Sequence, residues 1–307
     1  MVRLELLIAL RYLVAAPGAD FIFNIQLAHT RRQWVLHEQL QVNQPRPLMM
    51  HTDPASQARS LRLSAMPGPL EVSYRATADL DHLVLPAATI PEVPVAQLPP
   101  EVLTYLYPSR YCQSDLLNAL AMSEFGSLPH GYARVLAIQH WVQQRVQFKS
   151  SSSNSMTSAI DTLRDGVGVC RDFAHLMIAL CRAVNIPARF TTGIDYGADP
   201  ALGPTDFHAY VEAYLGHNWY LFDPSGTAIP MGFVRIGTGH DAADASFATI
   251  FGAVSSEAPH IEIKAQLTSQ PGSMLPYRRE EGVSTDGQAL PQCWGAEAQR
   301  TSGGVLV

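Results

Sequence analysis

The hydrophobic period of this 307-residue chain changes once along its length. From residue 4 to about residue 88, apolar positions fall in short alternating runs, "FIFNIQLAH", "QWVLHEQLQV", "SLRLSAM" and "LEVSYRATADL", separated by turn formers. Period-two runs of this length predict half-buried strands, and several at such spacing predict an antiparallel sandwich. The opening "MVRLELLIALRYLV" reads as the first strand, because Glu5 and Arg11 leave only Leu6 to Leu10 uninterrupted, too little for the apolar region of a secretory leader. From Leu85 to Val102 the chain carries five prolines and almost no charge, which predicts an extended connector. Beyond it, Val135, Ile138, Val142 and Val146 recur at steps of three and four, the period of an amphipathic helix.

The expected organisation is a β-sandwich over residues 1–90, a linker over 91–104, a mixed domain over 105–265 and a flexible Gly, Ser, Pro and Gln-rich tail over 266–307. Composition narrows the class. With 47% hydrophobic and 16% charged residues and a net charge of -6, the chain reads as globular and lacks the basic footprint of a nucleic-acid partner. No apolar run approaches the ~20 residues that span a bilayer, so no membrane association is expected. Cys112, Cys170, Cys181 and Cys293 are scattered without a CxxC pair, which points away from disulfides and zinc ribbons and toward the reducing cytoplasm.

Chemistry concentrates around "RDGVGVCRDFAHLMIALCRAVNIPARF". Phe173, Leu176, Met177, Leu180, Cys181 and Val184 form one apolar stripe of a helix that starts at Cys170 and ends at Asn185 and Pro187. A helix N-terminus favours a thiolate and offers free N–H groups to a developing oxyanion, so Cys170 is the candidate nucleophile. Cys181 lies on the stripe and is explained by burial. His175 is a poor base for Cys170, since five residues of helix turn it ~140° away. His208 is a better one. If "DFHAYVEAYL" and "NWYLFD" form a hairpin about Gly216 and His217 with Leu215 opposite Asn218, then Tyr210 faces Asp223 and His208 faces Ser225. His208 and Asp223 become diagonal neighbours at about 7–8 Å between backbones, close enough for an imidazole–carboxylate hydrogen bond.

Other polar residues carry plainer readings. Asp172 reads as a helix cap, and Asp206 as a strand-end acid beside His208. Tyr196, His240, Asp241 and Asp244 fall where they could line a cleft or sit on surface loops. Trp219 and Phe222 read as core, and Arg278 to Glu281 as a solvated tail segment. No HExxH or close ligand pair supports a metal, and no cofactor is expected.

The segments "TSAIDTLRDGVGVCRDFAHLMIALCRAVNIPARFTTGIDYG", "DFHAYVEAYLGHNWYLFDPS", "YPSRYC" and "GHDAADASFATIFG" resemble the bacterial branch of the transglutaminase-like superfamily. That resemblance implies an α+β fold with a papain-like core, a helix-borne cysteine against an antiparallel sheet, preceded by an all-β domain. It also implies Cys170 as nucleophile, His208 as general base and acid, and Asp223 as the orienting carboxylate. The same core serves cysteine peptidases acting through a thioester, protein-glutamine acyltransferases that pass the acyl group to an amine acceptor, and non-catalytic peptide-binding relatives. Hydrolysis of a peptide or protein amide is the first expectation, because an acyltransferase must exclude ~55 M water.

Overall fold

The computed structural model describes residues 1–198 and 205–288. In chain order the first strands are β1 (Val2–Val14), β2 (Ala19–Phe23), β3 (Gln33–Val42), β4 (Met49–Thr52), β5 (Arg59–Ala65), β6 (Gly68–Leu80) and β7 (Leu83–Leu85). A helical stretch follows, with α1 (Pro100–Leu103), α2 (Ser114–Phe125), α3 (Tyr132–Arg145), β8 (Gln147–Phe148), α4 (Ala159–Asp165), β9 (Val167–Gly168) and α5 (Cys170–Ala183). The remainder is β10 (Ala188–Asp195), β11 (Phe207–Leu215), β12 (Asn218–Phe222), β13 (Phe233–Gly239), β14 (Ala248–Phe251), β15 (Val254–Ser256), β16 (His260–Gln266) and β17 (Gly282–Ser284). This is the mixed α+β architecture expected.

The sandwich forms as the alternation predicts. In β1, every second residue from Val2 to Val14 is buried, and its partner β6 repeats the pattern over most of its length. One sheet runs β15-β1-β6-β3, with β16 also on β1, and the second runs β14-β2-β5-β4. The strands β14, β15 and β16 fall within 248–266, a segment assigned from sequence to the mixed domain, yet they pair with β1 and β2. Their period-two patterning marks strands but not the sheet they join. The tail also behaves differently from its composition: β17 pairs with β7 and Val283 is buried, whereas Cys293 lies outside the described residues.

A third sheet, β12-β11-β10-β13, is the centre of the molecule. Helices α2, α3 and α5 share an apolar core with one of its faces, through Phe190, Val211, Ala213 and Phe222. The sandwich core continues onto the other through Ile194, Tyr210, Leu221 and Val234. Both faces are covered, so β10, β12 and β13 are buried at every position. Such strands lose the polar half of the alternation. Glycine permits the tightest approach in this sheet: a Cβ on Gly193 would lie 2.0 Å from the Val234 carbonyl oxygen.

Charge is carried into this interior as a neutral set. Arg189 on β10 sits directly opposite Glu212 on β11 and donates to it at 2.5 Å, and Arg235 on β13 reaches the same carboxylate at 2.9 Å. Asp286, from the chain after β17, lies 3.2 Å from the Arg235 guanidinium and balances the second cation. Among the described residues no helix is long and apolar enough to cross a membrane. Replacing Glu212 by Gln leaves two buried guanidinium groups against one carboxylate, so urea denaturation should show a loss of about 3–5 kcal/mol. A change within about 0.5 kcal/mol, as for a surface substitution, would show that the quartet is not holding the sheet.

Candidate active site

Helix α4 is closed by a reciprocal cap at its start, where Ser158 and Asp161 exchange hydrogen bonds, and ends on Gly166 in the left-handed region at φ 66°. Two residues later the chain turns again into α5. Gly168 leaves room there: a Cβ on it would approach the Asp172 Cβ to 2.8 Å. Asp172 is fully buried, accepts the Val169 N–H at 2.9 Å and accepts from Ser153 Oγ at 2.9 Å, the capping role expected. Cys170 thereby occupies the first turn, where the helical N–H groups have no intrahelical acceptor. Its Sγ lies 4.0 Å from the Phe207 carbonyl oxygen, next to His208.

The hairpin has the register anticipated: Leu215 faces Asn218 and Val211 faces Phe222 across a two-residue turn with φ 51° at Gly216 and 62° at His217. Asp223 follows immediately on β12, and its Oδ1 lies 3.4 Å from His208 Nε2. That is long for a hydrogen bond, as is common before a substrate engages. Asp223 is firmly held. It accepts from Ser225 Oγ at 2.6 Å, Ser225 N at 3.0 Å and Ala228 N at 2.9 Å, while its own carbonyl accepts from Gln143 Nε2 at 3.1 Å. Burial opposes its charge, yet His208, Ser225 and the Ala228 N–H together hold its carboxyl below the ordinary range. Burial likewise works against charge on His208, but the Asp195 charge and hydrogen bonding to Asp223 and Cys170 outweigh it, raising the ring well above 6.5.

Two contributors escaped the sequence reading. Ser225 lies within 3.5 Å of His208 Nε2 and fixes Asp223, and the "DPSG" turn was its visible signal. Asp195 ends β10, with Oδ2 3.3 Å from His208 Nδ1. No local signal marks it, because β10 does not alternate and the connection to β11 is too long to set a register from turn rules.

Cys170, His208 and Asp195 line one cavity of about 680 Å³, walled by Tyr111, Phe148 and the stacked pair Phe207 and Phe247, whose centroids are 4.3 Å apart. A larger cavity of about 940 Å³ opens between the sandwich and the third sheet, lined by Arg189, Arg235 and Asp244, and contains none of Cys170, His208 or Asp223. Asp206 borders the smaller cavity and accepts its neighbour Phe207's N–H at 2.7 Å. His240 and Asp244 belong to the larger one, paired at 2.7 Å, and Tyr196 packs toward the sandwich core. Asp241 accepts from the Tyr111 N–H at 2.9 Å, a structural contact.

The remaining candidates are also structural. His175 is fully buried, stacks on Tyr111 and accepts the Ala242 N–H at 3.1 Å, and burial lowers it to about 3. Burial pushes the thiols of Cys112 and Cys181 up to about 12. Trp219 packs on Tyr214 and under Arg189, and Phe222 on Tyr132. Arg278, expected in a solvated tail, donates to the Gly226 carbonyl at 3.2 Å. Among the described residues no group of three or more His, Cys, Asp or Glu is placed to hold a metal ion.

Residues 120–224 match the family model of the transglutaminase-like superfamily. An uncharacterised protein of Mycobacterium leprae is 30% identical over 115 residues, which is 36% of this chain and 41% of that protein, so the chain spans less than half of this curated relative. A solved structure from Cytophaga hutchinsonii, described as a "Putative Cysteine Protease", is 39% identical, covers 92% of this chain and 97% of its own, and superposes with a TM-score of 0.85. With a helix-borne cysteine set against an antiparallel sheet, and a relative matching over nearly the whole chain, the protein belongs to the transglutaminase-like superfamily.

Proposed function

We propose that this protein is a cysteine-dependent amide hydrolase acting on peptide or protein substrates, with Cys170, His208 and Asp223 as its catalytic triad. The observation that carries this reading is the placement of His208: it lines one cavity with Cys170, and its far ring nitrogen faces the immobilised Asp223. Asp223 keeps Nε2 protonated and leaves Nδ1 to exchange a proton with the thiol.

In the acylation step the Cys170 thiolate forms a bond to the amide carbon, and the carbonyl electron pair moves onto oxygen. N–H groups at the start of α5 are the donors available to that oxyanion. Collapse breaks the C–N bond, and His208 delivers its proton to the departing nitrogen. A thioester remains on Cys170. His208, now neutral, takes a proton from water as the water oxygen attacks the thioester, and the C–S bond breaks to release the acid and restore the thiolate–imidazolium pair. The aromatic walls of the cavity suit an extended segment with apolar side chains flanking the scissile bond. The relative described as a cysteine protease supports hydrolysis as the outcome.

The first test is alkylation by iodoacetamide followed by mass spectrometry. Cys170 should react at pH 6 at least about tenfold faster than Cys112 or Cys181, whose thiols are unionised there. The sign follows from His208: its charge is present until pH rises through its elevated pKa, so the imidazolium supports the thiolate throughout the neutral range. His208→Ala should remove the advantage at pH 6, and equal slow labelling of all three would refute a catalytic thiol.

Activity on a peptide-amide library gives the second test. Asp223→Ala should lower kcat by about 10²–10⁴-fold with KM little changed, because the carboxylate acts on the base and not on bound substrate. Product that forms only when a primary amine is added would redirect the reading to acyl transfer.

A further inference from the structure

The triad uses one carboxylate, but His208 lies between two. Gly193 on β10 pairs directly with His208, so Asp195 is diagonal to the histidine from that side, as Asp223 is from the side of β12. Its Oδ2 stands 3.3 Å from Nδ1, the ring nitrogen turned away from Asp223. The two acids are held very differently. Asp223 has the Ser225 and Ala228 donors, whereas Asp195 is 2% exposed and neither of its oxygens has a hydrogen-bond partner of good geometry. A buried carboxylate without such partners is costly unless a cation faces it. The cation available is His208.

Resting on the reading of Cys170 and His208 as the catalytic pair, we propose that Asp195 is a positioning residue, a second counter-charge that keeps the His208 ring protonated and poised to donate to the leaving amine. It acts through the ring and lies on the wall of the same cavity as the nucleophile. The surrounding ionisable groups fit this assignment. From just before β11 comes Asp206 and from β11 Tyr210, from the turn after β12 comes Asp223, and from α5 comes Cys170; opposite Asp195 on β13 stands Phe233, which carries no charge. Tyr210, driven far above 10 by burial, is a neutral neighbour whose hydroxyl faces Asp195 and offsets only part of the cost of burying it. Burial lifts Asp195 to about 6, with His208 opposing that rise. Asp195 is therefore charged from neutral pH upward, the range in which the ring would otherwise lose its proton.

The experiment is an NMR titration of the His208 ring Cε1–H in the full-length protein, assigned by its loss in His208→Ala. Asp195→Asn keeps the shape and removes the charge, and the titration midpoint should fall by about one pH unit or more. Asp195→Ser is the second variant in case Asn does not fold, judged by its thermal melt, and should give a shift of the same sign. Cys170→Ala separates the two ideas. A midpoint that moves in Cys170→Ala but not in either Asp195 variant overturns the assignment of Asp195 and leaves the catalytic pair standing. A midpoint unmoved by Cys170→Ala removes the catalytic pair itself and, with it, this role for Asp195.

Discussion

His208 stands on a strand whose neighbours on both sides run antiparallel to it, and such pairing gives a residue a diagonal neighbour in each flanking strand direction. The site depends on this geometry. Asp195 arrives at the end of β10 and Asp223 just beyond β12, so the two carboxylates approach opposite ring nitrogens from positions beside paired strands. The same sheet must then be buried on both faces, by helices carrying Cys170 on one side and by the sandwich on the other. A one-residue slip of β11 against β12 would put His208 and Asp223 on opposite faces of the sheet. The two-residue turn at Gly216 and His217 prevents that slip, because both residues adopt the left-handed φ that a tight hairpin of this hand requires.

How much of this could be read from the residues follows from which interactions are local. The β11–β12 register was legible because the turn is short and its flanks are strongly strand-forming. The start of α5 was legible from Gly168, Cys170 and the apolar stripe beyond them. Strand β10 was not, since "ARFTTGID" is buried throughout and carries no alternation to distinguish a strand from a core helix. Helix α2 was missed for a related reason: Leu117, Ala121 and Phe125 make a narrow buried row on an otherwise ordinary surface helix. The β16 sequence "HIEIKAQ" shows its period plainly, but local pattern gives no address in the fold, and its partner β1 lies at the other end of the described chain. Asp286 is the extreme case, an acid in a polar, glycine-bearing stretch whose only meaning is the guanidinium it meets.

Two carboxylates of the same type flank one imidazole and acquire opposite character from their surroundings. Asp223 meets three good donors and its carboxyl is held low despite burial; Asp195, with only the Tyr210 hydroxyl beside it, is pushed upward by burial. Elsewhere in the interior, Arg189, Arg235, Glu212 and Asp286 form a neutral quartet. Asp195 and Asp223 instead share a single imidazole. Natural sequences satisfy their buried polar groups, and exceptions gather where chemistry needs a group held ready to exchange a proton.

The sandwich also enters the site through connectivity. Between β13 and β14 the chain passes along the cleft: Asp241 accepts from Tyr111, Ala242 donates to His175 on α5, and Phe247 stacks on Phe207, whose carbonyl faces the Cys170 sulfur. The next residues form β14 and pair with β2, so one wall of the cleft continues directly into a sandwich strand. A segment anchored at one end only would be free to fray, because local opening is resisted by buried contacts and paired backbone. Here it is fixed at α5 by a buried histidine and at β2 by a strand ladder. The sandwich therefore supplies rigidity to one wall of the cleft that Cys170 and His208 line, a physical reason for the third sheet to be built with its second face closed by another domain.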